Sequence, residues 1–122
     1  MKNKILVVDD DIAICELLTD VLSEHVFEVR SCHLAQAALQ TLQQEPDIAL
    51  VLLDLMLPDM SGPEALPLCR ANLAGAQAAI VFLTAKAGTG VRESYLALGA
   101  QDVLFKPFDP MALPDTLASV WN

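Results

Sequence analysis

The sequence predicts an α/β domain built on a five-stranded parallel sheet with helices on both faces. Five short apolar runs alternate with stretches of helical period, the signature of strands joined by helical crossovers. Three of those runs, Ile5 to Val8, Leu50 to Leu53 and Ile80 to Leu83, are apolar without interruption, as strands covered on both faces are. The 122 residues suffice for one core and not for two, so residues 1–122 are read as a single domain.

Strands are expected near residues 4–9, 28–32, 49–54, 79–84 and 102–106. The continuously apolar runs belong at the centre of the sheet, and the runs near residues 29 and 104 toward its edges. After the first strand, Ile14, Leu17, Leu18, Val21 and Leu22 fall at i, i+3, i+4, i+7 and i+8, so the first helix presents one apolar stripe, with Cys15 outside it. Asp11 suits its N-cap. The second helix, about 34–45, carries Leu34, Ala38, Leu39 and Leu42 inward and its glutamines toward water, and stops before Pro46. The third, near 63–72, and the fifth, near 110–121, each hold two prolines four apart, Pro63 with Pro67 and Pro110 with Pro114. The first proline of a pair suits a helix start. The second removes an amide donor and crowds the preceding turn, so late starts or kinks are expected. Tyr95 is read as a surface residue of the helix before the last strand, Asp59 as a cap or turn residue, and Gly62 and Gly99 as turn glycines.

Sixteen acidic and seven basic residues give a net charge of −9, which opposes direct binding to nucleic acid or to an anionic membrane. Only four apolar residues separate the N-terminal segment from three aspartates. Neither a signal peptide nor a membrane span is therefore expected, and the reading is cytoplasmic. Cys15, Cys32 and Cys69 are odd in number and widely spaced, with no paired motif for zinc, and are read as free thiols. The Gly88-Thr-Gly90 segment is too short for a phosphate-binding loop and lacks its lysine.

The chemistry lies at the strand ends. Asp9 and Asp10 end the first apolar run and Asp54 ends the third. In an open parallel sheet, ligands bind outside the carboxyl edge of the strands. Three carboxylates in a poorly solvated cleft would repel one another unless a cation joined them, and an all-oxygen set selects a hard ion such as Mg²⁺. Thr84 ends the fourth run and Lys106 the fifth, which brings a hydroxyl donor and a point charge to the same edge, suited to an anion with several oxygens.

Five segments, Ile5 to Asp11, Leu52 to Gly62, Val81 to Lys86, Leu98 to Asp102 and Phe105 to Phe108, occur in the order and near the spacing found in the receiver domains of two-component response regulators, which the chain resembles from Lys4 to about Val120. The resemblance implies a flavodoxin-like, doubly wound sheet of order 2-1-3-4-5 with five flanking helices. It implies that Asp54 is the phosphoacceptor, taking a phosphoryl group from a phosphohistidine on a sensor histidine kinase or phosphotransfer domain. Asp9 and Asp10 would hold Mg²⁺ directly or through water, with the Asp54 carboxylate and the backbone carbonyl of Met56 completing the protein ligands. Thr84 and Lys106 would respond to the new oxygens, Ala85 would be a supporting residue, and Pro107, following a peptide bond that is typically cis in the family, would help aim Lys106.

The chain departs from the family where receivers carry tyrosine or phenylalanine three residues before the lysine. Here Val103 cannot supply an aromatic lever. Output is expected to use a surface other than the face of the fourth helix, fifth strand and fifth helix, or a partner the family does not share; a phosphorylation-dependent dimer built on Arg92 and Asp102 would count against it. Met56 and Lys86, two residues beyond Asp54 and Thr84, are poor at orienting water, so slow self-dephosphorylation is expected. The chain is read as a signalling switch and not as a turnover enzyme; its kinase, stimulus, output partner and oligomeric state are not encoded in any motif. A haloacid-dehalogenase-like phosphohydrolase also uses a strand-end aspartate and Mg²⁺, but places an acid where Met56 stands. A degenerate receiver acting as a constitutive interaction module would lack part of the acid, threonine and lysine set, all of which is present.

Overall fold

The computed structural model describes residues 4–24, 27–72, 78–84, 90–106 and 112–115. Along the chain run β1 (Lys4–Val8), α1 (Ile12–Ser23), β2 (Glu28–Cys32), α2 (Ala35–Gln44), β3 (Ile48–Asp54), α3 (Gly62–Ala71), β4 (Ala79–Thr84), α4 (Val91–Ala97) and β5 (Asp102–Phe105). The strands form one parallel sheet of order β2-β1-β3-β4-β5, the flavodoxin-like arrangement. The expected strands match within one residue at each end, and the continuously apolar runs do lie on the three central strands. Of the expected last helix only 112–115 are described, and residues 113–115 are helical.

Strand alternation divides the core in two. Ile5 and Val7, Leu50 and Leu52, and Val81 and Leu83 project to one face, where Cys15, Leu18 and Leu22 of α1 and Leu113 cover them. Leu6 and Val8, Val51 and Leu53, and Ile80 and Phe82 project to the other, against Ala38 and Leu42 of α2 and Ala65, Leu66 and Cys69 of α3. A sheet buried on both faces leaves only its ends open to solvent. The carboxyl ends of β1, β3, β4 and β5 are thereby brought to one edge.

Three expectations about the helices are corrected. The buried face of α1 is centred on Cys15, Leu18 and Leu22, with Cys15 only 2% exposed, whereas Leu17 is 45% exposed. The apolar stripe read from the sequence is wider than the contact, and its centre lies toward the position taken by a small, readily buried thiol. Leu34 is the N-cap residue of α2 and not an inward residue; its side chain is exposed while Ala35, Ala38 and Leu42 are buried. In α3 no late start occurs. Ser61 and Glu64 form a reciprocal capping box, Pro63 falls in the first turn where a missing donor costs nothing, and the helix continues through the exposed Pro67. Asp11 caps α1 as expected, accepting from the amides of Ala13 at 3.0 Å and Ile14 at 3.3 Å.

Gly62 serves close packing. A Cβ there would lie 3.0 Å from the Leu55 Cα and 3.1 Å from the Phe82 ring. Gly99, with φ of +111°, does occupy a turn conformation that favours glycine.

Candidate functional site

Asp9 sits one residue beyond β1, where its amide still donates to the Cys32 carbonyl at 3.1 Å and extends the strand pairing. Its side chain is fully buried, and one carboxylate oxygen, Oδ1, accepts from the Asp11 amide at 2.9 Å. Asp54 is the last residue of β3 and is also buried, while Asp10 is exposed. β1 and β3 are neighbours in register, Val8 opposite Leu53, so the next residues, Asp9 and Asp54, leave the sheet side by side. One carboxylate oxygen from each of Asp9, Asp10 and Asp54 lies within 4.8 Å of the others.

Lys106 enters from the end of β5. Its amide donates to the Thr84 carbonyl at 2.7 Å, which fixes the start of the side chain beside β4. Its ammonium then donates to Asp9 Oδ2 at 2.7 Å and stands 3.7 Å from Asp54 Oδ2. Thr84 is buried at the end of β4, directly after Leu83, the register partner of Asp54. The structure thus brings together Asp9, Asp10, Asp54, Thr84 and Lys106. Met56 follows on the loop after β3, 81% exposed, with its amide 3.4 Å from Asp54 Oδ1. Ala85, Lys86 and Pro107 lie outside the described residues.

The electrostatics follow from this geometry. Burial, and next the neighbouring Asp9 carboxylate, push the Asp54 carboxyl up to about 6, against the pull of the Lys106 ammonium. Burial works against the charged form of Lys106, but the hydrogen bond to Asp9 and the charges of Asp54, Asp9 and Asp10 outweigh it and hold the ammonium above the ordinary lysine value. With all four groups ionised, three negative charges face one positive charge. The deficit of two, on oxygen donors alone, is what a divalent hard cation fits.

Val103 is buried and pairs with Phe82 across β4 and β5. Tyr95 is not a simple surface residue of its helix. It packs edge-on to Phe82, with ring centroids 5.5 Å apart at 75°, a favourable aromatic geometry. Arg92 and Asp102 pair with each other, both Nε (3.0 Å) and Nη2 (2.8 Å) donating to Asp102 Oδ1. The three cysteines are free. Burial pushes the Cys15 and Cys69 thiols up to about 11 and Cys32 up to about 12, away from the thiolate character that redox chemistry needs.

Two features near the site depend on the fold: the helix that Asp59, expected as a cap or turn residue, caps, and the place of His33, which the sequence did not single out. Asp59, on the loop after β3, caps the start of α2, accepting from the amides of Ala35 at 3.0 Å and Gln36 at 2.9 Å. It supplies the cap that Leu34 cannot make, and ties the loop carrying Met56 to a helix 24 residues earlier in the chain. His33 and Cys15 both converge on the Asp9 carbonyl, at 3.0 Å and 3.2 Å. His33 directly follows β2, the neighbour of β1, so sheet order together with its position one residue past the strand is the signal that would have placed it.

The family model for the response regulator receiver domain matches residues 5–118. This chain belongs to that family. The receiver is 42% identical over 114 residues to the DNA-binding response regulator MtrA of Mycobacterium tuberculosis, covering 93% of this chain and 48% of that protein. It is 38% identical over 110 residues to the transcriptional regulatory protein SrrA of Staphylococcus aureus, covering 90% and 44%. The chain therefore spans about half the length of the curated relatives it matches. Among solved structures, the chemotaxis response regulator CheY4 of Vibrio cholerae superposes with a TM-score of 0.89 at 28% identity, covering 98% of this chain and 99% of that one. Receivers are phosphoaccepting signalling domains of two-component systems, and response regulators interact with sensor kinases and output domains. Among the described residues, no helix is long and apolar enough to cross a membrane.

Proposed function

We propose that Asp54 accepts the phosphoryl group. The observation that carries this reading is the juxtaposition of Asp54 with Asp9, Asp10 and Lys106, one carboxylate oxygen from each aspartate within 4.8 Å of the others and an ammonium 2.7 Å from Asp9 Oδ2. An Asp54 oxygen attacks the phosphorus of a phosphohistidine. The new O–P bond forms as the P–N bond breaks, and the imidazole departs with the electron pair and takes up a proton.

Phosphoryl transfer asks the protein chiefly for positioning and charge neutralisation. Asp9 and Asp10 would hold Mg²⁺, directly or through water, with Asp54 and the Met56 carbonyl completing the protein ligands. Bound there, the ion supplies charge neutralisation for the transferring oxygens. Lys106 is anchored by Asp9 and free to shift its weight toward Asp54 once that side chain carries further negative charge. The Thr84 hydroxyl donates to a phosphoryl oxygen, and the two residues, joined through the Lys106 amide, report the modification to β4 and β5. Ala85 and Pro107, outside the described residues, keep the supporting roles that the family resemblance implies.

The donor is a sensor histidine kinase or histidine phosphotransfer domain, and the receiver signals through an output partner without itself contacting nucleic acid, in line with its net charge of −9. Output uses a surface other than an Arg92 and Asp102 dimer face, because those two charges are satisfied within one molecule. A phosphorylation-dependent dimer built on that pair would count against this reading. The chain is a switch and not a phosphohydrolase: Met56 occupies the position where such an enzyme needs its second acid. Incubation with a phosphohistidine donor tests the proposal. Transfer that requires Mg²⁺ and Asp54, with no turnover of small phosphate esters, is expected; sustained ester hydrolysis would overturn it.

A further inference from the structure

We propose that His33 and Cys15 are positioning residues for the metal-holding pair, acting together on the peptide plane between Asp9 and Asp10. This inference rests on the reading of Asp9 and Asp10 as metal holders.

The Asp9 carbonyl lies just past the end of β1, buried with its residue, where the pairing with β2 gives out. A buried carbonyl at a strand end needs donors from elsewhere. It has two. His33 Nδ1 stands 3.0 Å from the oxygen and Cys15 Sγ 3.2 Å from it. A carbonyl oxygen only accepts, so a 3.0 Å contact with Nδ1 requires the proton to sit on Nδ1. The 3.6 Å approach of Cys15 Sγ to Nδ1 is then a contact between two donors, and the thiol hydrogen points to the same carbonyl.

Two donors on one carbonyl oxygen fix the plane of the peptide that follows it. That plane sets the direction in which Asp10 leaves Asp9 and the position of the Asp11 amide, which donates back to Asp9 Oδ1 at 2.9 Å. The Asp9 carboxylate is thus oriented from two sides, by the Asp11 amide on Oδ1 and by Lys106 on Oδ2. Asp10, exposed and on the far side of the braced peptide, owes its direction to the brace. Groups that orient metal ligands without touching the metal typically change affinity by about 10- to 100-fold when removed. The brace acts through the backbone, so the lower end of that range applies.

His33 is exposed and lines the open groove between α1 and the end of β2 with Glu16 and Asp20. Its ring is not part of the core, so the His33 variants are expected to fold, and the double variant, which alters the buried Cys15, is first checked for native unfolding behaviour. The test uses the full chain as native protein, His33→Leu, His33→Asn, whose amide nitrogen can donate from about the Nδ1 position, and the double variant Cys15→Val/His33→Leu. Two quantities are read: the Asp9 carbonyl ¹³C resonance without metal, and the Mg²⁺ dissociation constant by calorimetry. Removing a donor shifts the resonance upfield in His33→Leu and further in the double variant, and weakens Mg²⁺ binding about 10-fold. His33→Asn restores both. An unmoved resonance with unchanged Mg²⁺ affinity in both leucine variants overturns the brace. A native chain that binds no Mg²⁺ overturns the metal reading, and with it the role of His33, even where the resonance moves.

Discussion

Asp54 is held in its buried, acid-lined position at a cost to stability, and replacing it with asparagine should make the metal-free protein more stable at neutral pH. Its carboxyl is raised from the ordinary 3.8 to about 6 by burial and by Asp9. A rise of that size corresponds to about 3 kcal/mol, at 1.36 kcal/mol per pH unit. The side chain keeps a little solvent contact, so a realised value of about 2 kcal/mol is the better expectation. The folded state holds the proton more tightly than the unfolded chain does. Stability is therefore greatest below the unfolded pKa of about 3.9 and falls as pH rises to about 6, above which the whole penalty is present. In urea unfolding with a chelator at pH 7.5, Asp54→Asn should gain about 2 kcal/mol, or roughly 5–10 °C in thermal midpoint for a chain of this size. The gain should shrink to nothing near pH 4. An Asp54→Asn chain equal to or less stable than native at pH 7.5, or a gain that is the same at pH 4, would refute the reasoning.

Gly62→Ala should destabilise by about 1–3 kcal/mol, because the new methyl would meet the Leu55 backbone and the Phe82 ring and neither can yield freely; equal or higher stability in urea would contradict it. Asp59→Ala should cost about 1 kcal/mol through loss of the α2 cap. Burial opposes the Asp59 charge, but the amides of Gln36 and Ala35 outweigh it and hold the carboxyl below the usual range, so the cap's contribution is present above about pH 4 and lost as pH falls through the depressed value. Native and Asp59→Ala unfolding midpoints should converge in acid. Met56→Asn and Lys86→Glu should speed loss of the phosphoryl group, followed by mass over time; unchanged decay would remove these two positions from the account of slow self-dephosphorylation.

The central strands were legible because burial on both faces leaves a direct trace, an unbroken apolar run, and Ile5 to Val8 or Leu50 to Leu53 can hardly be read otherwise. The strand-end carboxylates were legible for a related reason, since a charge that directly follows such a run needs a purpose. Helix faces were less so. In α1 the stripe through Leu17 and the stripe through Cys15 share Leu18 and Leu22, and only packing decides between them. Asp59 was legible as a cap but not as the cap of α2, and His33 was not legible at all. Each acts on a residue 24 positions away, through hydrogen bonds that exist only once the sheet order has placed β2 beside β1 and the loop after β3 beside α2. Tyr95 belongs to the same class, since its partner Phe82 lies on another element.

The central claim is that Asp54 is the group that carries the phosphoryl signal. Intact-protein mass spectrometry after treatment with a small phosphoryl donor and Mg²⁺ tests it most directly. A single phosphoryl adduct on the native chain, absent from Asp54→Asn and absent when the metal is chelated, is the predicted result. A native chain without the adduct, or an equal adduct on Asp54→Asn, would contradict it.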